Sequence, residues 1–134
     1  MYKIINKILL GLSFFVSLIV YILTMAPTVS FWDCGEFIAT SYILGIPHPP
    51  GAPFYLLLGN IFSSFPIFND IGAKVNFISP IASALSVMFL YLIIVYLIEE
   101  YRGKTKNNTD SIIKYGSAFI ASLTFAFTDS HWFN

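Results

Sequence analysis

The stretch Phe54–Phe68 reads FYLLLGNIFSSFPIF, and whether it crosses a membrane decides the topology of the whole chain. Fifteen helical residues reach only about 22 Å, short of a hydrocarbon core roughly 30 Å thick. Gly59, Asn60, Ser63, Ser64 and Pro66 weaken it further as a lipid-exposed span. On its N-terminal side lies an uncharged apolar run, Ile8–Ala26, long enough for about 28 Å of helix. That run exceeds the apolar core of a signal peptide, and Pro27 directly follows the only suitable cleavage residue, Ala26, so it reads as a retained span. On the C-terminal side, Val75–Ile98 is a second uncharged run with Pro80 near its start, and Ile112–Thr128 is a third. Lys114 sits one turn inside the third run and is expected to snorkel to the headgroups.

The charges arbitrate. Lys3, Lys7, Arg102, Lys104, Lys106 and Lys114 are six of the seven basic residues. With three spans (8–26, 75–98 and 112–128) all six fall on the cytoplasmic side, as the positive-inside tendency requires. A fourth span at Phe54–Phe68 would carry the Arg102 group outside. The stretch is therefore expected to be an amphipathic or re-entrant helix at the outer membrane surface, within an outer loop 27–74, with 99–111 a cytoplasmic loop. The expected fold class is all-α integral membrane: three transmembrane helices plus a long outer loop with short interfacial helices. The N-terminus is then cytoplasmic, in a bacterial inner membrane or the endoplasmic reticulum.

Composition agrees. The chain is 57% hydrophobic, 10% charged and of zero net charge, which excludes a disordered segment, an ordinary soluble domain and a basic nucleic-acid binder. One cysteine, Cys34, excludes an intrachain disulfide framework. Small residues at Ser79, Ala82, Ser83 and Ser86, and at Ala118, Ser122 and Ala126, are candidate helix-packing faces. Asn107-Asn108-Thr109 matches a glycosylation pattern, but on the expected cytoplasmic side it has no such use.

The outer loop carries the chemistry. In Ser30-Phe31-Trp32-Asp33-Cys34-Gly35-Glu36-Phe37, a helix starting near Ser30 would place Asp33 and Glu36 on one face. One reading is a capping box, Ser30-x-x-Asp33. The other is acid–base chemistry, because two carboxylates beside Trp32 at a membrane surface need water, a cation or a substrate. In Gly45-Ile46-Pro47-His48-Pro49-Pro50-Gly51-Ala52-Pro53, the prolines stiffen the chain around His48. That segment is either a rigid turn or a device that aims an imidazole at an anion or a hydroxyl. Pro53 suits the first position of the next helix. Trp32, Tyr42, Tyr55 and Trp132 read first as interfacial anchors, with sugar stacking as the alternative. Cys34 reads as an inert small residue. No cofactor is evident. Asp33, Glu36 and His48 could ligate a divalent cation, but their spacing matches no metal motif.

A span, an outer loop with paired acids, a His-Pro-Pro element and a further span together resemble the GT-C membrane glycosyltransferases. Protein O-mannosyltransferases of that superfamily carry an Asp-Glu pair and a His-Pro-Pro-Leu-Gly segment in the first outer loop. This chain has Trp32-Asp33-Cys34-Gly35-Glu36 and His48-Pro49-Pro50-Gly51. It is more similar still to a protein O-mannosyltransferase-like family long known only as a domain of unknown function, whose opening stretch matches Ala26–Phe37 and His48–Pro53. It departs from the classical enzymes in having Cys34-Gly35 between its acids. The resemblance implies the N-terminal part of a GT-C fold, as a fragment of a longer enzyme and inactive alone. It also implies transfer of a sugar, such as mannose, from a polyprenyl-phosphate donor to an acceptor protein or glycan on the outer or lumenal face. Asp33 and Glu36 would be catalytic, while His48, Trp32, Pro49 and Pro50 would bind substrate. A transporter fragment and a non-catalytic membrane scaffold are the alternative classes.

Overall fold

The computed structural model describes residues 2–103 and 107–132, without the side chains of Tyr2, Lys3 and Trp132. Lys104 and Lys106 of the expected cytoplasmic group, and the side chains of Lys3 and Trp132, lie outside the described residues. Regular structure among the described residues is entirely helical: α1 (Tyr2–Thr24), α2 (Cys34–Ile43), α3 (Pro53–Ser64), α4 (Ile71–Asn76), α5 (Ile78–Arg102), α6 (Asn108–Ala126) and α7 (Asp129–Trp132). Two helical runs there are long and apolar enough to cross a membrane, Ile4–Thr24 and Ile71–Arg102. The second takes in α4, Phe77 and α5, and so includes the expected run from Val75. The third expected run is helical as α6, but Asn108, Thr109, Asp110 and Lys114 occupy its first two turns and shorten its apolar part. α3 has 12 residues, about 18 Å, and by length is no span. Pro53 opens it as expected, and Pro66 holds the preceding Phe65 extended, which ends it.

The chain divides into two compact units, Met1–Leu23 with Ala82–Asn134, and Thr24–Ile81. In the first unit the interior is a set of helix contacts. Tyr21, Ala84, Val87 and Ala126 form one buried cluster, and Tyr91, Val95, Tyr115 and Ala118 another. Buried aromatic hydroxyls need partners. Tyr21 Oη donates to the Ala126 carbonyl at 2.7 Å, tying α1 to α6, and Tyr91 Oη donates to Asn6 Oδ1 at 2.8 Å, tying α5 to α1. Ser13 and Ser17, both fully buried, donate back to the carbonyls of Leu10 and Ser13. Ala118, Ser122 and Ala126 are all fully buried, as expected of a packing face.

Two other expectations are corrected. The buried face of α5 is Ala84, Val87, Tyr91 and Val95, whereas Ser79, Ala82 and Ser86 are exposed. Small size alone did not select the packed face, because the tyrosine and valines fill the space facing the neighbouring helices. Lys114 does not snorkel outward: its side chain is 5% exposed and its Nζ lies 3.3 Å from Glu99 Oε2. A buried ammonium requires such a partner. Asn107 accepts from the Asp110 N–H at 2.8 Å, so the apparent glycosylation pattern begins with the N-cap of α6.

The second unit positions the site. α2 ends in a left-handed residue, Leu44 (φ 52°), whose N–H bonds back to the Ser41 and Thr40 carbonyls, and the last carbonyls of the helix can also accept from outside it. Asn60 on α3 donates to two of them, those of Ser41 (3.0 Å) and Tyr42 (3.1 Å). Beside it, Gly59 lets α3 approach α2 closely, since a Cβ there would meet Ser41 Oγ and lie 2.6 Å from Ser41 Cβ. Gly59→Ala is therefore expected to force α2 and α3 apart at a cost of about 1–3 kcal/mol. Thermal unfolding in detergent would check this, and an unchanged midpoint would refute the close contact.

Candidate functional site

The acidic stretch does not fold as a capping box. α2 begins at Cys34, not near Ser30, and Asp33 occupies the N-cap position without a side-chain capping bond. Ser30 Oγ instead donates to Cys34 Sγ at 3.2 Å, and Trp32 takes a left-handed backbone (φ 60°) that turns the chain into the helix. The Asp33 side chain is left 64% exposed and uncommitted to the helix end. Glu36 lies one turn on, in the first turn of α2.

The proline-rich segment reaches the same place from the other side. The His48 backbone N–H donates to Glu36 Oε1 at 2.7 Å, and His48 Nδ1 lies 2.7 Å from Glu36 Oε2. One carboxylate thus engages the backbone nitrogen and one ring nitrogen of the same residue. Gly51, at φ 74°, closes the turn by donating its N–H to the His48 carbonyl at 3.0 Å. Pro49 and Pro50, joined by a cis peptide, are exposed and shape this turn. They are not among the residues that line the adjoining cavity. His48 Nε2 lies 4.0 Å from Asp33 Oδ2. The imidazole edge packs on Phe37 at 6.0 Å, and Phe37 in turn packs on Tyr55 at 5.9 Å.

A cavity of about 530 Å³ opens beside this group, within the range of small-molecule sites. Trp32, Asp33, Cys34, Phe37, Ala52, Tyr55 and Asn76 line it. Trp32 is 96% exposed, free to meet a ligand or a lipid surface. Tyr55 is partly buried and forms part of the wall, while Tyr42 is exposed. Phe37, Ala52 and Asn76 were not marked by sequence reasoning. Phe37 carried a usable signal, lying next to Glu36 on an apolar run. Asn76 carried none, lying 43 residues from Asp33.

The electrostatics follow from the clamp. Its hydrogen bond to Glu36 raises the His48 pKa above the ordinary imidazole value, and the two bonds from His48 lower that of Glu36. Asp33, Glu36 and His48 each offer a ligand atom, all within 4.8 Å of one another. The direct bond between Glu36 and His48 Nδ1 leaves His48 Nε2 and Asp33 as the two atoms best placed to receive a cation. Protein-built sites usually use more.

The stabilisation has a defined pH window. A raised His48 pKa contributes fully below about 6.5 and is lost as pH rises through the raised value. A lowered Glu36 pKa contributes fully above about 4.5 and is lost as pH falls through the lowered value. The clamp is therefore tightest between these ordinary values. NMR titration of His48 should give a pKa above 6.5 that falls towards it in Glu36→Gln. Equal values in the two proteins would show that the clamp does not form.

A family model described as the Protein O-mannosyl-transferase TMEM260 N-terminal domain matches residues 33–134. A relative named Protein O-mannosyl-transferase tmem260, from Dictyostelium discoideum, is 37% identical over 76 residues, covering 55% of this chain and 9% of that protein. Protein O-mannosyl-transferase TMEM260 of Mus musculus is 27% identical over 84 residues, covering 63% of this chain and 12% of that protein. The chain thus spans about a tenth of the length of these curated relatives. No solved structure matches it significantly. The family match takes in most of the chain, including Asp33, Glu36 and His48, and the chain belongs to the family of the protein O-mannosyl-transferase TMEM260 N-terminal domain.

Proposed function

We propose that this chain is the N-terminal portion of a GT-C-type membrane glycosyltransferase. The enzyme moves a sugar, in keeping with its relatives mannose, from a polyprenyl-phosphate carrier to an acceptor hydroxyl on the outer or lumenal face. The supporting observation is the division of labour between the two carboxylates. Both oxygens of Glu36 are engaged by His48, whereas Asp33 makes no capping bond and lines the cavity.

Asp33 is accordingly the general base. As the acceptor oxygen attacks the sugar carbon, its proton passes to an Asp33 oxygen. The bond from that carbon to the carrier phosphate breaks, and the phosphate leaves with the electron pair. Glu36 acts through His48, holding the imidazole and favouring its cationic form. A cationic imidazole suits the donor phosphate. Trp32 offers an exposed indole face to the sugar or the acceptor, and Pro49 and Pro50 hold the turn that presents His48.

In this reading α1, α5 and α6 are the three spans, and 27–74 is the outer loop. α3 lies at the headgroup level, where the carrier phosphate sits. Single cysteines introduced near Asp70 and Lys106 of a full-length protein whose native cysteines, Cys34 included, are replaced by serine test that topology with an impermeant thiol reagent. Labelling is expected from outside near 70 and only after permeabilisation near 106. Outside labelling at 106 would overturn the three-span arrangement.

The chemistry is tested in membranes supplied with a labelled polyprenyl-phosphate sugar. Asp33→Asn in the full-length protein is expected to lower transfer by about 10²–10⁴-fold while insertion stays normal. Near-normal transfer would refute the base assignment. Complete absence of transfer by the unmutated protein would instead favour a scaffold or transporter.

A further inference from the structure

Asp33 carries no bond that fixes its carboxylate to the helix end; its backbone is held between α2, where its carbonyl accepts from the Phe37 N–H at 3.0 Å, and the turn before it. That turn, residues 25–30, has no helix or strand of its own. Its order comes from a segment more than 40 residues away in sequence. Asn76 Nδ2 donates to the carbonyls of Ala26 (3.1 Å) and Thr28 (2.9 Å). Thr28 Oγ1 donates to Asp70 Oδ2 at 3.2 Å, while Asp70 Oδ1 caps α4 by accepting from the Ala73 N–H at 2.9 Å. Between these two residues Gly72 brings its backbone against the turn: a Cβ there would lie 3.1 Å from the Thr28 carbonyl carbon and 3.2 Å from Val29 N. Val29 continues the chain of contacts, since a Cβ on Gly35 would meet Val29 Cγ1 at 3.3 Å. Gly35 sits in the first turn of α2, between Asp33 and Glu36. Asn76 also lines the cavity that Asp33 faces.

We propose that α4 is the positioning element of the site. Asn76 and Asp70 clamp residues 26–29 so that Asp33 meets the acceptor hydroxyl at the cavity wall. This rests on the reading of Asp33 as the base. Asn76, whose amide N–H groups are spent on the Ala26 and Thr28 carbonyls, and Asp70, which is spent on Thr28 and the cap of α4, act as positioning residues. A carboxylate displaced by about 1 Å from a near-attack geometry loses on the order of 10²-fold in rate. Loosening the clamp should therefore lower kcat and leave acceptor binding largely intact.

The test uses full-length protein in membranes, with labelled polyprenyl-phosphate sugar and an acceptor peptide. Asn76→Ala is expected to lower kcat roughly 10–100-fold with little change in acceptor KM. Thr28→Val, which keeps the side-chain volume and both Asn76 bonds, should give a smaller loss of the same kind. Asp70→Ala should lower kcat, and Asp70→Asn should restore most of it, because the amide oxygen still caps α4 and the amide nitrogen can donate to the Thr28 hydroxyl. Full kcat in Asn76→Ala and Thr28→Val would overturn the proposal. So would a fall that tracks the loss of folded protein, or Asp70→Asn as impaired as Asp70→Ala. Asp33→Asn is measured alongside. If it retains transfer, the base assignment fails. If it loses transfer while the α4 variants do not, only the positioning role fails.

Discussion

The Glu36 carboxylate, engaged by both the backbone N–H and the ring of His48, is the interaction on which the site depends. It joins the exposed proline-rich turn to the first turn of α2, beside the packing of the His48 ring on Phe37. The turn is stiff because prolines restrict it, and it is closed by Gly51, but stiffness alone does not say where it points. The carboxylate supplies the direction. It also leaves Asp33, three residues earlier, as the carboxylate not spent on holding the structure. The two acids at i and i+3 thus differ in their surroundings: Glu36 is engaged by His48, and Asp33 lies at the cavity.

The same economy of polar groups organises the helical unit. A helix surrounded by apolar side chains leaves hydroxyls and amines few partners, and an unpaired one costs more than its hydrogen bond contributes. Ser13, Ser17 and Ser122 turn their hydroxyls back onto carbonyls of their own helices. Tyr21 and Tyr91 reach across to other helices, and Lys114 is met by Glu99. Side chains that look like exceptions in an apolar run become the cross-links that fix how α1, α5 and α6 face one another.

The family assignment and the geometry support each other without duplicating. The family match starts at Asp33 and runs to the end of the chain, and the first turns of that stretch build the acidic group. Residues 26–29 lie before the matched region, yet Asn76 of α4, inside it, bonds to the Ala26 and Thr28 carbonyls.

Composition and run lengths alone establish the helical, apolar class of the chain. Uncharged runs near the length of a bilayer core leave few other ways to satisfy a backbone. The sequence also marked Asp33, Glu36 and His48, because paired acids and a proline-fixed histidine are rare in so sparsely charged a chain. It located the start of α3 at Pro53, where a fixed φ suits a helix entrance. Tertiary structure decided what each polar group does. The capping reading of Ser30 and Asp33 was reasonable from spacing, but it failed because Trp32 turns the chain and delays the helix to Cys34. Lys114 was legible as a basic residue near a helix end, while its partner lies in another helix. Asn76 gave no local signal, since its meaning comes from two carbonyls about 50 residues away. Periodicity and composition report what a segment must bury or expose; which donor meets which acceptor is settled only when distant segments are brought into contact.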